Sequence, residues 1–242
     1  MTFNDPKLLG KKVGNFQYSG SEPRVFLPAF GQLKRHLPVE VQTIFAPKCN
    51  FTTNIAATES GDYRKIVEGF SRSRNDADGC IIGTKQAGVI FNADCPIIVI
   101  FDGSADRLAI LHGGFRCLIP EKNGEVGIIE KLFRDYSFMA SIVDVFVGFG
   151  IGPCCFGAEH LPEVRAEMAG LPLSRAIRGP RKGQKSLDLY RLIRTQLLQL
   201  GVPKKQMEIV RTCIACEGRK EYYSNCYDGM YCGRNAATAW LT

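Results

Sequence analysis

Apolar positions along the chain follow two rhythms. Short continuous runs rich in β-branched residues and bounded by Gly or Asp predict buried strands. They occur at Pro96 to Phe101, Leu108 to Leu111 and Ile142 to Phe149. Alternation at Val41 to Phe45 predicts another strand, and Arg24 to Leu27 a short one. The second rhythm is helical. Val126, Ile129, Leu132, Phe133 and Tyr136 share one side of a segment whose other side is charged. Leu189, Leu192, Ile193, Gln196, Leu197 and Leu200 form a stripe closed by Gly201 and Pro203. Residues 161–170, with Pro near the start and Gly at the end, read as a third helix. Residues 46–62 read as loop. A helix directly after the strand ending at His112 reads as a crossover. Residues 1–40 are rich in turn formers and are expected to be a partly ordered extension. Residues 41–242 are expected to be one domain without repeats or linkers.

Composition narrows the class. A chain of 242 residues with 45% hydrophobic and 23% charged residues suits a soluble globular protein. No apolar run approaches the ~18 residues of a membrane helix. The first twenty residues lack an apolar leader region, and ten cysteines without one are expected in a reducing, cytoplasmic setting. The net charge of +7 favours anionic partners. The chain has no basic run interleaved with aromatics, which argues against nucleic acid and for a small anion such as phosphate.

The chemistry gathers around the first two buried runs. Asp94 and Cys95 precede one, and His112 ends the other. Gly113, Gly114 and Arg116 follow where the chain leaves the sheet. A thiol and an imidazole delivered by neighbouring strands suit a transition metal or a Cys–His nucleophile pair. The same two residues also fit a core cysteine and a hydrogen-bonded core histidine. Other cysteines carry less. Cys154 and Cys155 read as small buried hydrophobes. Cys213, Cys216, Cys226 and Cys232 do not make a zinc ribbon, because five residues separate the second pair.

The segments "ADCPIIVIFD" and "AILHGGFR" resemble the signatures of the YfiH-like laccase-domain family, once described as multicopper polyphenol oxidases and now as purine nucleoside phosphorylases with adenosine deaminase activity. Matches run from about Val41 to the C-terminus. They include Ala77, Asp78 and Thr84, the loop "GIGPCCFG", and Cys213, Tyr223, Ser224, Asp228, Gly229, Gly233 and Arg234. The resemblance implies an α+β fold of mixed β-sheets flanked by helices, related to toxin deamidase-type cysteine hydrolases. It implies a metal, zinc or copper, held by a His, a Cys and a second His. Cys95 and His112 match the latter two. The first histidine is missing, and Glu68 is the residue nearest its place. Low metal occupancy, or none, is therefore expected.

By the same resemblance, Cys95, His112, Arg116 and Asp94 would be catalytic, and Lys48, Asn54, Arg234 and Asp228 would contact a purine nucleoside or phosphate. Asp94 would orient His112 or accept from the sugar. Lys48 stands for a family arginine, and Asn225, Cys226 and Tyr227 replace a Tyr-Arg-Arg run. These departures keep two alternatives open: an altered, inactive relative acting as a binding module, and a metal-free Cys–His hydrolase. Neither the nucleoside nor the oligomeric state follows from the sequence.

Overall fold

The computed structural model describes residues 11–12, 33–35, 37–120, 124–148, 150–157, 170, 173–218, 221–229 and 232–242. In chain order its strands are β1 (Lys11–Lys12), β2 (Thr43–Lys48), β3 (Ile55–Ala57), β4 (Tyr63–Val67), β5 (Phe70–Asp76), β6 (Gly79–Ile82), β7 (Gln86–Asn92), β8 (Ile97–Asp102), β9 (Arg107–His112), β10 (Asp144–Gly148), β11 (Ser174–Arg175), β12 (Lys185–Ser186), β13 (Met207–Ile209) and β14 (Asn235–Leu241). Its helices are α1 (Phe115–Leu118), α2 (Ile128–Asp135), α3 (Leu189–Gln199) and α4 (Asn225–Asp228). The expected strand at Arg24 to Leu27 and the helix at 161–170 lie outside the described residues, apart from Gly170.

The apolar runs are continuous because both their faces are covered. One sheet has the order β13-β10-β8-β9-β6-β3, the other β1-β14-β7-β2-β5-β4. In the first sheet, Ile98 and Ile100 of β8 and Ala109 and Leu111 of β9 face the helices, in a core with Ile129, Leu132, Leu189 and Ile193. The alternate residues Ile97, Val99, Leu108 and Ile110 pack with Ile90, Ala237 and Ala239 of the second sheet. This is the period-2 pleat at work: neighbouring residues serve opposite layers. The far face of the second sheet is closed by Leu33, Val41, Ile44, Phe70 and Trp240. The result is an α+β fold of mixed sheets flanked by helices.

Several sequence expectations shift. Residues 46–62 are not all loop: β2 continues to Lys48, and β3 lies inside the segment. The stretch between Asp62 and Ala77 is the β4–β5 hairpin, with β5 in parallel pairing to β2. Its sequence "FSRSRND" has no apolar rhythm, so neighbouring backbone rather than pattern makes it a strand. The crossover reading fits. β9 and β10 both pair antiparallel with β8, so α1 and α2 join two parallel strands across it. No helix among the described residues is long and apolar enough to cross a membrane.

Candidate active site

The register of β8 and β9 builds the centre. Ile97 is paired with His112, which places the end of β9 beside the entry to β8. His112 continues the side of Leu108 and Ile110, so its ring turns towards the second sheet. A Cβ placed on Gly114 would stand 3.3 Å from His112 Cε1, 3.4 Å from Cys95 Sγ and 3.5 Å from His112 Nε2. The thiol and the ring nitrogen therefore converge on one small space that the glycine leaves open. Gly113 has a different duty. Its Cβ would meet the Pro96 carbonyl oxygen at 2.7 Å, so it lets β9 close against the start of β8.

Asp78 fixes the ring. It is fully buried, and one carboxylate oxygen lies 2.7 Å from His112 Nδ1. Its own carbonyl accepts the His112 backbone N–H at 2.8 Å. The other carboxylate oxygen accepts the N–H groups of Asn50 and Thr52 at 3.0 and 2.7 Å. Burial disfavours the Asp78 anion, but His112 and these donors outweigh it and hold its carboxyl below the usual range. Burial likewise disfavours a charged His112, yet Cys95, Asp78 and Cys117 together raise its basicity well above normal. With Nδ1 committed to Asp78, Nε2 is the nitrogen offered to the cavity.

The loop pinned by Asp78 carries Phe51. This residue has φ of 55° and lies with its ring centroid 5.4 Å from that of His112. Phe51 stays 53% exposed, an aromatic face at the rim. Behind it opens a cavity of about 370 Å³, lined by Cys49, Phe91, Asn92, Asp94, Cys95, His112, Phe156 and Asn225 together with Arg72, Arg181 and Arg234. That volume falls in the ~300–1,000 Å³ range of small-molecule sites.

Asp94 lines this cavity, and of its two expected parts that of orienting His112 falls to Asp78 instead. The Asp94 carboxylate accepts Ser224 Oγ at 2.6 Å and the Cys226 N–H at 2.8 Å. Its carbonyl accepts the Ile151 N–H at 2.5 Å. Asp94 thus ties together the loops after β10 and before β14. It does so at φ of 137°, a strained conformation for a non-glycine residue. Burial pushes its pKa up to about 6 against the pull of Ser224, Cys226, Arg181 and Arg234.

Other expected site residues fall elsewhere. Glu68 turns the β4–β5 hairpin with its side chain 90% exposed and paired with Lys65, so it is not brought to Cys95 and His112. A hairpin tip at the sheet edge points into solvent, so nearness to the histidine's place in the motif does not bring this side chain to the centre. Arg116 follows the buried Phe115 on α1 and is exposed, outside the cavity lining, because one helical step turns it away from the core. Lys48 pairs with Asp76 at 2.6 Å. Asn54 donates to the Asp76 carbonyl at 3.2 Å. Asp228 is exposed and accepts the Ser224 N–H at 2.9 Å at the start of α4. None of these three lines the cavity, whereas Arg234 does.

The sequence had marked Asp78 only as a motif match and had not raised Arg72, Arg181, Phe51 or Cys49 as site residues. A usable signal for Asp78 was an acidic residue leading into an all-buried strand. Arg72 and Arg181 gave none, since they lie in segments without apolar rhythm.

Donors for a metal are at hand. Cys95 Sγ and His112 Nε2 face the space beside Gly114. The Cys49 sulfur lies within 4.8 Å of an Asp78 carboxylate oxygen and a His112 ring nitrogen. A thiol and an imidazole suit zinc or copper, and Cys49 is grouped with Asp78 and His112 rather than with Cys95.

Comparison with known proteins agrees with this architecture. The purine nucleoside phosphorylase YlmD of Geobacillus stearothermophilus is 31% identical over 170 residues, 68% of this chain and 60% of its own length. The purine nucleoside phosphorylase of Bacteroides thetaiotaomicron is 28% identical over 146 residues, 60% of this chain and 53% of its own. Adenosine deaminase RL5, from an unknown prokaryotic organism, is 24% identical over 213 residues, 83% of this chain and 76% of its own. The chain thus spans a little over half the length of the first two. The crystal structure of YlmD superposes with a TM-score of 0.72 at 20% identity, covering 99% of this chain and 89% of that one. Bacillus licheniformis YfiH superposes at 0.70 and 17% identity, covering 99% and 90%. Residues 22–242 match the family described as multi-copper polyphenol oxidoreductase laccase, and the chain belongs to that family.

Proposed function

We propose that this protein is a nucleoside-processing enzyme that cleaves a purine nucleoside with phosphate. The observation that carries the reading is the convergence of Cys95 Sγ and His112 Nε2 beside Gly114, in a cavity that also holds Arg72, Arg181 and Arg234. The relatives named purine nucleoside phosphorylase supply the reaction class. In phosphorolysis a phosphate oxygen bonds to C1′ of the ribose. The C1′–N9 bond breaks, and its electron pair leaves with the base.

Each group in the cavity has a part to play. The arginines hold the phosphate dianion and offset charge repulsion as it approaches the sugar; Arg side chains suit bidentate contact with phosphate oxygens. They also restore the cationic character that the missing Tyr-Arg-Arg run would remove. Phe51 offers its exposed face to the base, where stacking provides affinity without hydrogen-bond demands. Asp78 keeps the Nε2 of His112 directed at the reacting centre. Asp94 holds the two loops that close the cavity. Cys95 and His112 would hold a metal, which when bound supplies Lewis-acid polarisation of an oxygen nucleophile.

The test is incubation of adenosine or inosine with and without phosphate, followed by chromatography. Free base that appears only with phosphate supports the reading. Inosine formed from adenosine without phosphate points to deamination instead. Turnover unchanged in both Cys95→Ser and His112→Ala removes this site from the reaction.

A further inference from the structure

A second group of cysteines meets on the other side of the Asp94 loops. β10 and β13 pair in parallel, and the pairing continues past both strands. Val210 N–H donates to the Val147 carbonyl at 2.8 Å, and Gly150 bridges to Cys213. The two loops therefore leave the sheet side by side, one carrying Cys154 and Cys155, the other Cys213 and Cys216. The four sulfurs all lie within 4.8 Å of one another, and those of Cys154 and Cys216 are 3.7 Å apart.

Both loops are shaped to present sulfur. The Cys213 carbonyl accepts the N–H groups of Cys216, Glu217 and Gly218 at 3.3, 2.9 and 3.0 Å, a tight turn that brings the ends of a C-x-x-C together. The Gly152 carbonyl accepts those of Cys155 and Phe156 at 3.1 and 2.9 Å. A Cβ on Gly152 would stand 3.3 Å from Cys154 Sγ and 3.5 Å from Cys213 Sγ, so the glycine leaves room for the group to close. The loop is also braced from beneath, where the Gly150 N–H donates to the buried Tyr190 hydroxyl at 2.9 Å.

We propose that Cys154, Cys155, Cys213 and Cys216 form a structural zinc site, separate from the Cys95–His112 centre. Tetrahedral zinc with Zn–S bonds of about 2.3 Å sets its sulfurs ~3.8 Å apart. The observed spread needs only a small contraction to reach that geometry. An iron–sulfur cluster, which places inorganic sulfide between its cysteines, would need them further apart. Four thiolates around Zn²⁺ leave a net double negative charge. The Arg178 guanidinium, 3.8 Å from Cys216 Sγ, lies where it would offset part of it. Cys155 and Cys213 are 0% and 1% exposed, so the ion would be largely closed off from water, as structural sites are. It would also clamp the loops that meet at Asp94: Ile151 bonds to Asp94, and Cys226 Sγ lies 3.5 Å from the Cys155 carbonyl oxygen.

The test uses the full chain, purified without a metal-binding tag from zinc-supplemented medium, and its Cys95→Ser/His112→Ala variant. The expected result is one zinc per chain in that variant, with X-ray absorption showing four sulfur ligands at about 2.3 Å. Cys213→Ser/Cys216→Ser should lose this zinc. If that variant fails to fold, the absorption spectrum of the Cys95→Ser/His112→Ala protein decides alone. Zinc that disappears with Cys95 and His112, four freely titrating thiols in zinc-saturated protein, bound iron with acid-labile sulfide, or a Cys154–Cys216 disulfide in protein kept reduced would each overturn the proposal.

Discussion

Gly114→Ala separates the site from the fold. Gly114 has φ of −68° and ψ of 147°, which alanine adopts without strain. In such a position Gly→Ala gains about 0.4–1 kcal/mol by restricting the unfolded chain. Against this stand contacts of the new methyl at 3.3–3.5 Å with the His112 ring and Cys95 Sγ, which ask for shifts of a few tenths of an ångström. The two effects should leave stability within about 1 kcal/mol of wild type, or ~2–4 °C in Tm for a chain of this size. The methyl nevertheless occupies the space on which Nε2 and Sγ converge. Whatever reacts or binds between them is excluded, and loss of a positioned proton-transfer group alone costs about 10²–10⁴ in rate. The expected outcome is a near-normal melting curve with turnover lowered at least ~100-fold. Thermal melting and the phosphate-dependent nucleoside assay, run on the same preparation, read both. A Gly114→Ala enzyme with wild-type turnover would refute the assignment of this space as the reacting centre. A collapse in Tm would refute the claim that the glycine serves the site alone.

Gly113→Ala should do the reverse: a Cβ 2.7 Å from the Pro96 carbonyl oxygen overpacks rigid backbone, costing about 1–3 kcal/mol by chemical denaturation. Asp78→Asn leaves a buried His112 without its counter-charge. It should lower stability by about 3–5 kcal/mol and bring the His112 titration, followed by NMR, down from its raised value. Asp94 titrates at about 6 when folded and lower when unfolded, so the native state binds the extra proton, and stability should fall as pH rises from about 4 to 7. Two pKa units correspond to about 3 kcal/mol, and Asp94→Asn should flatten this slope in urea melts at several pH values. Arg181→Ala should raise KM for phosphate more than KM for the nucleoside, and equal effects on both would remove Arg181 from the phosphate contact.

The strands that carry the centre were legible because both their faces are buried, which leaves an unbroken apolar run in the sequence. β8 and β9 therefore appeared within a residue or so of their bounds, and with them Cys95 and His112. β5 was hidden because its place is set by backbone pairing to β2, and Ser-Arg-Ser-Arg carries no rhythm. Arg116 looked well placed because it is near His112 in sequence, but one helical step after a buried phenylalanine turns a side chain outward. Arg72 and Arg181 reach the cavity from segments far from the motif, where proximity is created only by the sheets. The cysteines were read within their own stretches of chain, Cys154 with Cys155 and Cys213 with Cys216, Cys226 and Cys232. Their meeting depends on the parallel pairing of β10 with β13, which no local spacing encodes.

The β8–β9 hairpin also orders events in time. Cys95 and His112 are joined through a short turn at residues 103–106, and a hairpin closes in about 1–10 μs. The partners that cover this hairpin come much later, since Ser224 and Cys226 bond to Asp94 across 130 and 132 residues. At a synthesis rate of about 5–20 residues per second, the ribosome needs on the order of ten seconds to deliver them. During that interval the nascent chain carries both the thiol and the imidazole, with the C-terminal loops not yet made. Whatever the pair meets then, a metal ion or an oxidant, it meets before the loops that border the cavity are in place.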